Sequence, residues 1–126
     1  MRRLMRQPQF EITKKARFEA AHSLQGGPPA YARMHGHSFE VEATLAGPAE
    51  PPMGWVEDLA ALEKALGTVA GELDHSLLNE HPDLETPTLE ALCLFFAGRL
   101  KGDFPRLKRI AVSRPSVGET CRMEVG

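Results

Sequence analysis

The densest chemical signal in this chain is His35-Gly36-His37. On an extended strand, residues i and i+2 point to the same face, so the two imidazoles converge on one point. That geometry suits a metal ion. A third histidine, His22, closes an earlier alternating segment on the face shared by Phe18 and Ala20. If the two segments pair as a hairpin, His22 stands beside the other two. Three neutral imidazoles with one position left open form the pattern of a catalytic zinc site. A structural zinc wants a fourth protein ligand, and no nearby cysteine offers one. Alone, an H-x-H pair reads as a chance pair or a weak surface chelator; the parity of His22 makes a metal site an equally good account.

Asp74-His75 is the second feature. An aspartate beside a histidine can hold the ring's tautomer, which suits proton transfer. The plainer account is a histidine complementing the dipole at a helix C-terminus. Glu119, in a Gly-Glu-Thr sequence, offers a carboxylate for two donors of a planar heterocycle; the plainer account is a solvated glutamate. His81 precedes Pro82 and receives no role. Up to Arg17 the chain carries Arg2, Arg3, Arg6, Lys14, Lys15 and Arg17 against Glu11 alone. Such a run is either a solvated face or a local field for an anionic small molecule such as a phosphate ester.

These residues need elements to position them. The 126 residues are 42% hydrophobic and 25% charged, the balance of one globular domain. Residues 1–8 read as a tail before it. Phe10 to His22 alternates with period two, as does His35 to Leu45, so both are expected strands. Gln25-Gly-Gly-Pro-Pro29 and Gly47-Pro-Ala-Glu-Pro-Pro52 read as turns. Asp58 is an expected N-cap for a helix carrying Leu59, Leu62, Leu66, Val69 and Leu73 at spacings of three and four. A second helix is expected with Thr86 as N-cap and Pro87 at its first position, running to about Lys101. Lys108–Ser113 and Thr120–Val125 read as the last two strands. The order predicts an α+β domain: a four-stranded antiparallel sheet with two helices on one face. Its open edges invite a homo-oligomer.

The longest apolar run, Ala91–Ala97, is too short to cross a bilayer, so no membrane partner is expected. Met1-Arg-Arg-Leu-Met-Arg6 has charge but no apolar stretch behind it, so no signal peptide is expected. Cys93 and Cys121 are too few for a disulfide scaffold and point to the cytosol. A net charge of −2 gives no reason to propose a nucleic-acid partner.

Four segments then appear in one order: Phe18-Glu-Ala-Ala-His22-Ser-Leu, Arg33-Met-His35-Gly-His37-Ser-Phe, Leu73-Asp-His75-Ser-Leu-Leu-Asn79 and Thr86-Pro-Thr-Leu-Glu90. Together they resemble the 6-pyruvoyl-tetrahydropterin synthase and 6-carboxy-tetrahydropterin synthase family, over roughly residues 10 to 125. The resemblance implies the T-fold: ββααββ subunits whose sheets join into a β-barrel as trimers and hexamers. It implies zinc on His22, His35 and His37, and a catalytic relay through Asp74 and His75. It implies pterin contacts at Thr88 and Glu119. The implied activity is a zinc-dependent lyase that converts 7,8-dihydroneopterin triphosphate to 6-carboxy-tetrahydropterin or a related tetrahydropterin, as in queuosine biosynthesis. Zinc would polarise side-chain oxygens and acidify the adjacent C–H. The basic N-terminal segment and Arg33 would meet the triphosphate.

Two positions depart from the family pattern. The usual catalytic cysteine lies four residues before the first histidine of H-G-H; here that residue is Tyr31. No cysteine occurs before Cys93, and no glutamate lies between His22 and His35. Cys121 is a second candidate to approach the site. The glutamate that usually follows a V-x-V pattern is replaced by Arg114, which leaves Glu119 as the expected anchor. The rival readings are a T-fold pterin enzyme with a different side-chain reaction and a non-catalytic pterin-binding protein.

Overall fold

The computed structural model describes residues 7–126. Strand β1, Phe10–His22, runs antiparallel to β2, His35–Gly47. Helix α1, Leu59–Leu73, returns the chain to a two-residue strand β3, Ser76–Leu77. Helix α2, Leu89–Leu100, leads to β4, Leu107–Arg114, and β5, Glu119–Glu124. The sheet order is β3-β1-β2-β4-β5.

Alternation in β1 and β2 divides the sheet into two faces. Phe18, Ala20, Phe39 and Val41 are buried, while Arg17 and Glu19 between them are exposed. Phe18 stacks on Phe39 with ring centroids 5.0 Å apart, and Phe96 of α2 lies 5.8 Å from Phe18. Leu62, Leu66 and Leu73 of α1 and Leu92, Phe96 and Leu100 of α2 complete the same core. Both helices therefore cover one face, as the spacing of their leucines predicts.

The sheet has five strands rather than the four expected. The extra strand is parallel, not antiparallel: Ala20 pairs with Ser76 and Ala21 with Leu77. Two residues carry no readable period, so β3 leaves no sequence pattern. It forms because α1 delivers the chain to the edge of β1, where the backbone N–H of His75 donates to the carbonyl of Glu19 at 2.6 Å.

The N-cap of α2 is Thr88, not Thr86. Its hydroxyl oxygen accepts the N–H of Ala91 at 3.1 Å, and its backbone is extended. Pro87 thus lies outside the helix, with its carbonyl free to turn elsewhere. For α1 the expected cap holds: Asp58 accepts from the N–H of Ala60 at 2.8 Å. The expected tail falls mostly on residues 1–6, which lie outside the described residues; Gln7 and Pro8 are exposed and irregular. Among the described residues, no helix is long and apolar enough to cross a membrane.

Candidate active site

The β1–β2 register places His22 opposite His35 and Ala20 opposite His37. The three imidazoles therefore meet at one end of the hairpin. One ligand-capable nitrogen from each lies within 4.8 Å of the other two. His22 is fully buried, and the other two are half-buried. Phe39 forms the floor, with its ring centroid 5.9 Å from His22 and 5.5 Å from His37.

Backbone carbonyls fix the tautomers. His22 Nδ1 lies 3.0 Å from the carbonyl of Pro87, and His35 Nδ1 lies 2.7 Å from the carbonyl of Arg33. A carbonyl only accepts, so each Nδ1 carries the proton and each Nε2 keeps its lone pair. Nε2 of His22 and of His37 are buried with no hydrogen-bond partner among the described residues. Buried polar atoms are seldom left so. Metal-binding histidines are characteristically oriented by a second hydrogen bond on the other ring nitrogen. Burial pushes the His22 imidazole below its usual pKa, against the opposing Pro87 bond. Burial first, and then the neighbouring His22 and Arg114, pushes His37 down to about 4. Both rings are neutral at pH 7, the form that ligates. The residues fit a zinc ion.

Asp74 caps the end of α1 and joins two elements. One carboxylate oxygen accepts the N–H of Glu19 at 2.8 Å; the other lies 2.9 Å from Nδ1 of His75. The Glu19 N–H, and then His75, hold the Asp74 carboxyl below the usual carboxylate range. His75 adopts φ 58°, a left-handed conformation unusual for a residue with a side chain. His75 lines an open cavity of about 630 Å³ together with His37 and Ser38. His75 and His37 thus line one cavity, while Asp74, His22 and His35 do not line it.

A smaller cavity of about 170 Å³ lies against His35 and His37, walled by Tyr31, Arg114 and Glu119. Arg114 and Glu119 face each other across β4 and β5, with Nε 2.9 Å from Oε1. Tyr31 is held by its backbone: its N–H donates to the carbonyl of Pro28 and its carbonyl accepts from Leu24. Its ring closes against Gly27, where φ is 77° and an added Cβ would stand 3.1 Å from the tyrosine ring. A larger apolar cleft of about 480 Å³ lies at the far end of the hairpin, by Phe10, Trp55 and Leu59, away from the histidines.

Comparison with known proteins bears on this arrangement. The sequence profile of 6-pyruvoyl tetrahydropterin synthase matches residues 11–125. The chain belongs to the 6-pyruvoyl tetrahydropterin synthase family. A 6-carboxy-5,6,7,8-tetrahydropterin synthase of Synechocystis is 35% identical over 116 residues, covering 87% of this chain and 86% of the relative. A dihydroneopterin monophosphate aldolase of Pyrococcus furiosus is 34% identical over 104 residues, 80% of this chain and 86% of the relative. The fold matches the 6-pyruvoyl tetrahydropterin synthase of Caenorhabditis elegans with a TM-score of 0.82 at 22% identity, over 98% of this chain and all of that one.

Within this family fold, the remaining candidates divide. Thr88 lines neither histidine cavity. Its N–H donates to Thr86 and its carbonyl accepts from Leu92, so both backbone groups are occupied internally. Cys121 packs against the core, its carbonyl 3.5 Å from Sγ of the buried Cys93, and lines neither histidine cavity. Burial first, and then Cys121, pushes the Cys93 thiol up to about 12, so Cys93 supplies no base. His81 accepts the N–H of Asp83 and packs edge-on against Phe95, a structural role. Sequence reasoning missed Asn79, whose side chain bonds both the N–H and the carbonyl of Ser23, each at 2.9 Å. It also missed the carbonyls of Pro87 and Arg33. Backbone acceptors have no side-chain signature.

Proposed function

We propose that this protein is a zinc-dependent pterin lyase acting on 7,8-dihydroneopterin triphosphate, giving 6-carboxy-tetrahydropterin or a related tetrahydropterin. The observation that supports this reading is the pairing of two features: a histidine cluster in which carbonyls set the tautomers of His22 and His35, and an Asp74-bonded His75 that lines one cavity with His37. His22, His35 and His37 would hold zinc. Bound there, zinc would polarise a side-chain oxygen of the substrate and acidify the neighbouring C–H. His75, oriented through Nδ1 by Asp74, accepts that proton at Nε2 and returns it to the departing fragment. Glu119 reads the N–H donors on the pterin's amino edge with the carboxylate oxygen that does not face Arg114. Thr88 contributes by capping α2, which holds the Pro87 carbonyl on His22. The reading includes a cytosolic protein and a homo-oligomer, a trimer or hexamer closing its open sheet edges into a barrel. The test is turnover: zinc-loaded protein incubated with dihydroneopterin triphosphate should release a tetrahydropterin product. No product, under conditions where a cysteine-containing relative turns over, rejects the proposal.

Tyr31 favours a second reading, in which the fold cleaves a differently substituted pterin by an aldol step. Its phenol occupies the wall where the family pattern expects a thiol, and a phenol is a poor base at neutral pH. One relative at 34% identity is named an aldolase. Under this reading Tyr31→Cys gains lyase activity on the triphosphate that the parent lacks.

A further inference from the structure

Arg114 is the residue of the small cavity that the proposed chemistry leaves unused. Its side chain is only 14% exposed. Its Nε is buried without a hydrogen-bond partner among the described residues, because the Glu119 oxygen at 2.9 Å lies off the N–H direction. A guanidinium has five donors in a fixed fork, and a buried one is normally paired on more than one side. Around it stand Tyr31, His35 and His37. The one acidic side chain lining that cavity among the described residues is the half-exposed Glu119. A cation held against a cluster built to take a second cation is repelled by it, and one negative group seated between them removes the repulsion.

We propose that Arg114 binds an oxyanion of the substrate, a carboxylate or a phosphate, seated beside the His22–His35–His37 cluster. Two parallel N–H donors match two oxygens of either group, a geometry that lysine does not reproduce. The inference rests on the reading of this cavity as a substrate site and names the chemistry of one substrate group. Glu119 then has two parts: it holds the guanidinium in place while the cavity is empty and yields it when the oxyanion enters.

Calorimetric titration of the zinc-loaded full chain with inorganic phosphate and with glycolate tests this. Saturable binding of either anion is expected, and the tighter of the two identifies the source. Arg114→Gln should weaken that binding about ten- to a hundredfold with zinc content unchanged. Equal affinity in that variant, or no binding of either anion to the parent, overturns the proposal. Should Arg114→Gln not fold, Glu119→Gln decides. Freeing the guanidinium should tighten anion binding roughly three- to tenfold, whereas weaker binding overturns the proposal. A third titration, with 7,8-dihydropterin lacking an acidic side chain, separates this inference from the pterin reading. Anion binding without dihydropterin binding rejects the pterin reading alone; dihydropterin binding without anion binding rejects this inference alone.

Discussion

Replacing Asp74 by asparagine changes one atom and should disable the relay. In the native arrangement one carboxylate oxygen accepts from Glu19 and the other faces Nδ1 of His75, at 2.8 and 2.9 Å. Asparagine has only one oxygen for these two donors. If that oxygen stays on Glu19, the amide nitrogen faces His75 Nδ1, which must then accept. The ring's proton moves to Nε2, and Nε2 can no longer take a proton from substrate. The flipped amide restores the useful tautomer but sets two N–H donors face to face at Glu19 and loses that bond. The structure thus favours the unproductive orientation. Proton transfer by a positioned side chain contributes typically 10²–10⁴-fold, so kcat should fall by about that factor. KM and zinc content should stay near their native values, because no proposed binding group is touched. Asp74→Ala leaves the ring free to choose its tautomer and should retain more activity than Asp74→Asn, although asparagine is the closer mimic in size. The assay is single-turnover product formation by zinc-loaded protein. Asparagine equal to or better than alanine, in a protein where His75→Ala is inactive, would refute the tautomer argument.

Four further outcomes are expected. Chelator-treated protein should take up one zinc per chain, and His22→Ala, which removes the buried member of the cluster, should abolish that uptake by metal analysis. The metal-free protein should lose stability as pH falls from 6.5 to about 4, because the folded state holds His37 neutral down to about 4 while an unfolded histidine protonates near 6.5; thermal melts across that window should show the loss, and saturating zinc should reduce it. Thr88→Ala should cost about 1 kcal/mol and weaken zinc binding roughly tenfold through the Pro87 carbonyl, whereas Thr86→Ala should change stability by less than about 0.5 kcal/mol. His75→Gly should raise the Tm by about 3 °C, since relief of the left-handed φ outweighs the added chain entropy by roughly 0.5–1 kcal/mol, while turnover collapses.

The elements with a repeating pattern were legible in the sequence. Alternation over Phe10–His22 and His35–Leu45 specified both strands and put His22 on the face of the H-x-H pair, where the structure groups all three. Leucine spacing specified both helices and the face they cover. Features without a period were not legible. β3 is two residues long. Thr86 and Thr88 are both good capping residues flanking one proline, and the cap at Thr88 goes with a Pro87 carbonyl that meets His22, a contact with no local sequence signature. Asp74 and His75 were visible as a pair, but the Glu19 N–H that anchors the carboxylate comes from 55 residues away. Arg114 and Glu119 stand in the sequence as alternatives for one anchoring position, and the chain between them gives no sign that β4 and β5 set them face to face.

The hydrogen bond from His22 to Pro87 spans 65 residues and joins the first strand to the threshold of the second helix. A hairpin formed early, with α2 still undocked, would carry all three histidines but leave His22 without its orienting carbonyl. Such an intermediate would hold zinc weakly. Tight uptake would come only once the last helix is seated, so the ion would act as an inspector of finished chains. Zinc supply would then set how much of the population stays committed to the native state, by mass action on the completed form.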